Sequence, residues 1–200
     1  MAKLDGRPIG RRGLLGTLVA GTAAGVAGCL NGDSDDGDDH VDGETADISY
    51  DPNIDEHPGD DPIEFESSHS CAICNMATTD YPRWQSQLAH EDGTGAVFDT
   101  PGCLFAYLVA TSSDSSVAGA WATEHETTEL VDATDAHFVL VTDADAADDP
   151  MEINPRVFAD HDDAVAYLEE WDAEDLTEDD IVGLEDVDLE IASIYRGNRL

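Results

Sequence analysis

Basic residues are nearly missing from this 200-residue chain: eight Lys and Arg stand against 46 Asp and Glu, a net charge of −38. Four of the eight (Lys3, Arg7, Arg11, Arg12) crowd the first twelve residues, and Arg83, Arg156, Arg196 and Arg199 are scattered over the rest. No basic patch can form from them, which excludes nucleic acid as a partner. Long apolar runs are lacking too. The stretch Gly13 to Gly28 has 16 residues, short for a membrane span and suited to the core of a signal peptide. Sulfur is scarce, with four Cys and three Met, yet Cys71, Cys74 and Met76 fall within six residues. Thiolate and thioether sulfur are poor ligands for Ca²⁺ or Mg²⁺ and good ones for Cu(I).

The first 28 residues read as a processing segment. The basic residues form its n-region, Arg11-Arg12 looks like a twin-arginine signal, and Val26-Ala27-Gly28-Cys29 resembles a lipobox. The expectation is an exported protein, lipidated at Cys29 and held on the outer face of the cytoplasmic membrane. The alternative is a free secreted chain with Cys29 removed or unmodified. Removing residues 1–28 takes away four basic groups and one acid, leaving 4 basic and 45 acidic residues and a net charge of −41. Such charge suits disorder, but 41% of the chain is hydrophobic and the acids are spread along its whole length. That is the surface of a halophilic protein, for which the Debye length in molar salt is about 3 Å and self-repulsion is screened.

Residues 29–61, with Asp33, Asp35, Asp36, Asp38 and Asp39 in quick succession, read as a disordered acidic tether in which His40 and His57 are inert. The folded domain is expected over 62–200 and carries an internal repeat. Val97 to Leu108 recurs as Val157 to Leu168, with Val, Phe and Ala-Tyr-Leu identical at five of twelve positions. Each copy reads as a strand end, a polar cap and an amphipathic helix; Thr100 suits the N-cap and Pro101 the first helical position. Strands are expected at Trp84 to Ala89, Ala96 to Phe98, Val117 to Thr123, His137 to Thr142 and Ile191 to Tyr195. The fold class is therefore α+β: two small duplicated strand–helix–strand units, βαββ-like, over about 63–125 and 126–200. Trp121, Trp171, Tyr107 and Tyr167 fit packing better than a ligand cage.

Four chemistries fit Cys71-x-x-Cys74-x-Met76: a soft-metal site, a Cys71–Cys74 disulfide, a zinc knuckle completed by Cys103 and His69 or His90, and a thiol–disulfide exchange site. Nothing after Cys71 resembles a helix start, which disfavours the exchange site, and zinc has no use for Met76. Cys103 sits on the first turn of the helix after Pro101, where it either faces the knuckle or serves as a small buried hydrophobe. His69 is either an added ligand or a surface residue.

Cys71-x-x-Cys74-Asn75-Met76, Tyr81-Pro82, Gln85-x-Gln87, Val97-Phe98-Asp99, Gly102-Cys103, and later Val131-Asp132-Ala133, His137 to Val141 and Asp149-Pro150-Met151 together resemble the NosL family. These are lipoproteins encoded with nitrous oxide reductase, the copper enzyme of denitrification. The resemblance covers roughly Glu64 to Leu168. It implies a lipid-anchored Cu(I) metallochaperone without catalytic activity that supplies nitrous oxide reductase or a similar enzyme, built from two similar α+β units related to a domain of organomercurial lyase. It also implies a copper site at Cys74 and Met76, with Met151 a third sulfur ligand and Cys71 a ligand or disulfide partner. Asn75 and Glu152 replace glycines of the family. The rival functions are an extracellular thiol oxidoreductase or lyase-like thiol enzyme using Cys71, Cys74 and Cys103, and a structural zinc module.

Overall fold

The computed structural model of the protein describes residues 48–200. The signal segment, Cys29, His40 and the tether up to residue 47 lie outside the described residues. Strand β1 (Ser86–His90) reverses into β2 (Gly95–Phe98) through a tight turn. There Gly93 takes φ +85° and the Asp92 carboxylate accepts hydrogen bonds from the Thr94 amide and hydroxyl at 2.9 and 2.7 Å. Helix α1 (Pro101–Ala110) follows at once. Strand β3 (Val117–Thr123) then pairs with the other edge of β1, and β4 (Leu130–Asp132) extends the sheet, giving the antiparallel order β2-β1-β3-β4.

The second half repeats that path. Strand β5 (His137–Val139), the one-turn helix α2 (Ala144–Ala147), β6 (Arg156–Phe158), helix α3 (His161–Glu170) and β7 (Ile181–Val182) build a sheet of order β6-β5-β7. The α+β architecture of two small duplicated units is thus what the chain adopts, each unit running strand, strand, helix, strand. The repeated residues make the same contact in both copies: Phe98 against Tyr107 at 5.2 Å and 54°, Phe158 against Tyr167 at 5.4 Å and 45°. Phe105 of α1 meets Phe138 of β5 edge-on at 5.1 Å, so both halves share one core.

Three departures from the sequence reading have physical causes. Ile191 to Tyr195 lies in a helix, α4 (Leu189–Arg196), not a strand. Asp188 caps it by accepting the Ile191 amide at 2.9 Å, and Ala192, Tyr195 and Arg196 form its buried face against α1. Strand β1 is buried at every residue, whereas the alternation of Trp84, Ser86 and Leu88 with Gln85, Gln87 and Ala89 suits a strand with one covered face. The reason is the third departure: residues 48–61, expected as disordered tether, strap the outer edge and face of the first sheet. The Asn53 and Ile54 amides donate to the Gly95 carbonyl at 3.0 and 2.9 Å, and the Gly95 amide donates back to Ile54 at 2.8 Å. His57 stacks on Trp121 at 5.5 Å and meets the Gln87 side chain at 3.0 Å. A Cβ at Gly95 would come within 2.9 Å of that His57 ring, so glycine is what lets the strap close down.

Candidate metal centre

The segment Cys71–Met76 forms a closed knuckle. Ser70 and Ala77 pair as a single antiparallel bridge at its base. The Cys71 amide donates to the Met76 carbonyl at 2.8 Å, and the Asn75 amide donates to the Cys71 carbonyl at 2.9 Å. Asn75 takes φ +62°, a left-handed conformation that asparagine tolerates better than most residues. The Ala72 amide donates to Val97 on β2 at 3.0 Å, which lays the knuckle over the β2–α1 junction. That junction supplies Asp99, directly after β2, and Cys103, on the first turn of α1.

Cys71, Cys74, Asp99 and Cys103 therefore converge, their ligand atoms all within 4.8 Å of one another. Cys71, Asp99 and Cys103 are buried, and Cys74 alone of the four is partly open to solvent. The Cys74 thiol donates to the Asp99 carboxylate at 3.2 Å. Behind Cys103 stands Arg196 from the end of α4, 1% exposed. Its Nε donates to Cys103 Sγ at 3.2 Å, and its other nitrogens donate to Thr100 Oγ1 at 2.6 Å, Asn154 Oδ1 at 2.7 Å and the Ile153 and Tyr195 carbonyls at 3.0 and 2.6 Å. The Thr100 side chain consequently makes no cap bond to α1, although the residue holds the N-cap position as expected. Gly102 is flat against the guanidinium, where a Cβ would lie 2.9 Å from Arg196 Cζ.

The electrostatics divide the three thiols. Cys103 is held well below the ordinary thiol range by the Cys71 and Cys74 thiols that face it, with the Arg196 charge adding to the effect. Cys74 is pushed up to about 12, first by the neighbouring Cys103 sulfur. Burial drives Cys71 upward. Burial, then the Cys103 charge, raises Asp99 to about 6. These directions make Cys103 the sulfur that ionises most readily, with Cys71 and Cys74 held toward the thiol form and Asp99 raised to about 6.

Of the residues read from sequence, Cys71 and Cys74 meet as expected, and Cys103 joins them rather than packing as an inert hydrophobe. Met76 closes the knuckle through its backbone and is half-buried. Met151 lies in a turn with φ +60°, followed by Glu152 at φ +77°, and its carbonyl accepts from Arg196 at 3.4 Å. His69 stands outside the four-atom cluster; its Nδ1 accepts the Glu66 amide at 3.1 Å. It lines, with Asp51, Asn53 and Ser70, a cleft of about 350 Å³ beside Cys71. Asp99 and Arg196 were missed. The signal for both is position: Asp99 is an acid four residues before Cys103, and Arg196 is one of only four basic residues after residue 28.

The knuckle itself is duplicated, at residues 124–129. There the Glu124 amide donates to Glu129 at 2.8 Å, the Thr128 amide to Glu124 at 3.1 Å, and the His125 amide to Val157 at 2.8 Å, with Thr128 at φ +61°. Every one of these matches a bond of the first knuckle, but Glu124, Thr127, Ala159 and Asp163 occupy the positions of Cys71, Cys74, Asp99 and Cys103. The second copy keeps the backbone and carries no thiol.

Two α+β units, one of them carrying a buried cluster of three thiols and a carboxyl, define a soft-metal-binding protein class. The sequence matches the NosL profile over residues 62–183, more than half of the chain. The chain belongs to the NosL family. No curated protein matches it. Among solved structures, the crystal structure of the copper chaperone NosL from Shewanella denitrificans is similar, with 16% identity and a TM-score of 0.51 over 65% of this chain and 97% of that one.

Proposed function

We propose that this chain is a Cu(I)-binding accessory protein that accepts and passes on copper without catalysing a reaction. The observation that carries the reading is the convergence of Cys71, Cys74 and Cys103 around one point with only Cys74 accessible. Three sulfurs suit a low-coordinate Cu(I) ion. Cys103, the sulfur that ionises most readily, is the anchor; Cys71 is the buried second ligand; Cys74 is the entry and exit ligand. Met76, two residues along, offers a thioether to an ion leaving Cys74, and Met151 touches the centre through its carbonyl, which accepts from Arg196. A recipient's sulfurs can then replace these ligands one at a time, so that copper is never without a partner.

The rest of the reading is supported by the N-terminal sequence: export through a twin-arginine signal, lipidation at Cys29, attachment to the outer face of the cytoplasmic membrane, and a copper enzyme outside the cell as recipient. Nitrous oxide reductase is the recipient that family membership favours. Competitive titration of the reduced, metal-free protein with Cu(I) tests the site. We expect one tightly bound ion, with affinity lowered at least tenfold by Cys74→Ser; an affinity indifferent to that change removes Cys74 from the site.

One observation favours a second reading, a thiol enzyme of the lyase type. Asp99, raised to about 6, sets a carboxylate that accepts from the Cys74 thiol at 3.2 Å, placed to take its proton and hand it on inside a soft-metal cluster. An organomercurial-cleavage assay separates the two, because a chaperone leaves the carbon–metal bond intact.

A further inference from the structure

Arg196 is a buried cation in a chain with 46 acids, and among the described residues no carboxylate lies within ion-pair distance of it; the ion pair found there joins Arg156 to Asp149. Its oxygen acceptors, Thr100, Asn154 and backbone carbonyls, are all neutral. A guanidinium does not deprotonate in proteins, so it keeps a full unit of charge, and the sulfur of Cys103 at 3.2 Å is its one ionisable partner. The fold goes to some length to put it there. Thr100 gives up capping α1 to hold it, and position 102 must be glycine to make room.

A positive charge built against a cation site opposes every bound cation in proportion to that cation's own charge. The donor set by itself, three thiols and a carboxylate, suits Zn(II) as well as Cu(I). We propose that Arg196 is the specificity-determining residue of this centre, setting it for a monovalent ion and against divalent ions of the Zn(II) class. The proposal rests on the metal-binding reading of the cluster. One further unit of positive charge about 5 Å from the guanidinium, at an effective dielectric of about 20, lowers affinity on the order of a hundredfold. Deprotonation of the thiols that both ions bind, Cys103 first among them, cancels in their ratio.

The test is the ratio of Zn(II) to Cu(I) affinity, each measured by chelator competition on the reduced, metal-free protein. Arg196→Gln removes the charge while leaving a donor for Thr100 and Asn154, and is expected to raise the ratio at least tenfold. Arg196→Lys keeps the charge and should hold the ratio within about threefold of the unmodified protein. Asn154→Asp leaves Arg196 in place and sets a carboxylate 2.7 Å from it; it should raise the ratio as Arg196→Gln does, and it answers the question even if Arg196→Gln does not fold. A ratio unchanged by Asn154→Asp, or moved equally by the Lys and Gln variants, overturns the proposal. Failure of the unmodified protein to bind either ion through its thiols overturns instead the metal-binding reading beneath it.

Discussion

Cys103 and Cys71 are both buried cysteines lining the same cluster, yet their removal should have very different consequences. Cys103→Ala takes away the sulfur that faces the Arg196 guanidinium at 3.2 Å. Breaking one partner out of a buried charge pair costs about 3–5 kcal/mol, because the other charge is left uncompensated. Cys71→Ala removes the same atoms from a thiol that burial keeps neutral, and only the small cavity and lost contacts count, about 1–2 kcal/mol. In a domain of this size, each kcal/mol shifts Tm by roughly 2–4 °C. Urea and thermal unfolding of the reduced, metal-free variants should therefore place Cys103→Ala about 10 °C below Cys71→Ala. In the double variant Cys103→Ala/Arg196→Met the two losses should be far from additive, with a coupling of about 2 kcal/mol or more. Equal costs for the two alanine variants, or a coupling below about 0.5 kcal/mol, would refute an ionised Cys103 paired with Arg196.

The same division of charge predicts how copper uptake depends on pH. Between pH 6.5 and 8, each protonated thiol that becomes a ligand sheds one proton, so the logarithm of Cu(I) affinity should rise by two per pH unit if Cys71 and Cys74 both bind and by one if Cys74 alone does. A slope of three in competition titrations would mean that Cys103 also starts protonated. Asp99 makes a second pH prediction. Burial raises it from 3.8 to about 6, so the folded state favours the protonated form. It carries no penalty below pH 4, a growing one as pH rises through 4–6, and the full one above, about 3 kcal/mol at most. Asp99→Asn should therefore stabilise the metal-free protein at pH 7 and leave it unchanged at pH 4; an equal gain at both pH values in urea unfolding would contradict the assignment.

The parts of this fold that showed in the sequence are those written in side chains. Val97-Phe98 and Val157-Phe158 announced the duplication because the repeated Phe–Tyr contact needs those residues in both halves. The second knuckle was invisible, since Glu124 to Glu129 shares no chemistry with Cys71 to Met76 and the match lies wholly in backbone hydrogen bonds. The strap failed to show for a related reason: residues 48–61 are acidic and poor in apolar groups, and they hold on chiefly through main-chain bonds to Gly93, Gly95, Ala110 and Ser112, the Asn53 side chain and the ring of His57. In the metal centre, the knuckle motif gave Cys71 and Cys74 directly. Asp99 and Cys103 needed the geometry of the β2–α1 junction, and Arg196 reaches Cys103 across 93 positions of sequence from a helix that reads as a strand.

Copper K-edge X-ray absorption on the reduced protein loaded with one equivalent of Cu(I) tests the account most directly. We expect a first shell of sulfur alone, two or three atoms, that loses one sulfur in Cys74→Ser and another in Cys103→Ser. A shell dominated by nitrogen or oxygen, or one that neither substitution alters, would place the copper somewhere other than this cluster.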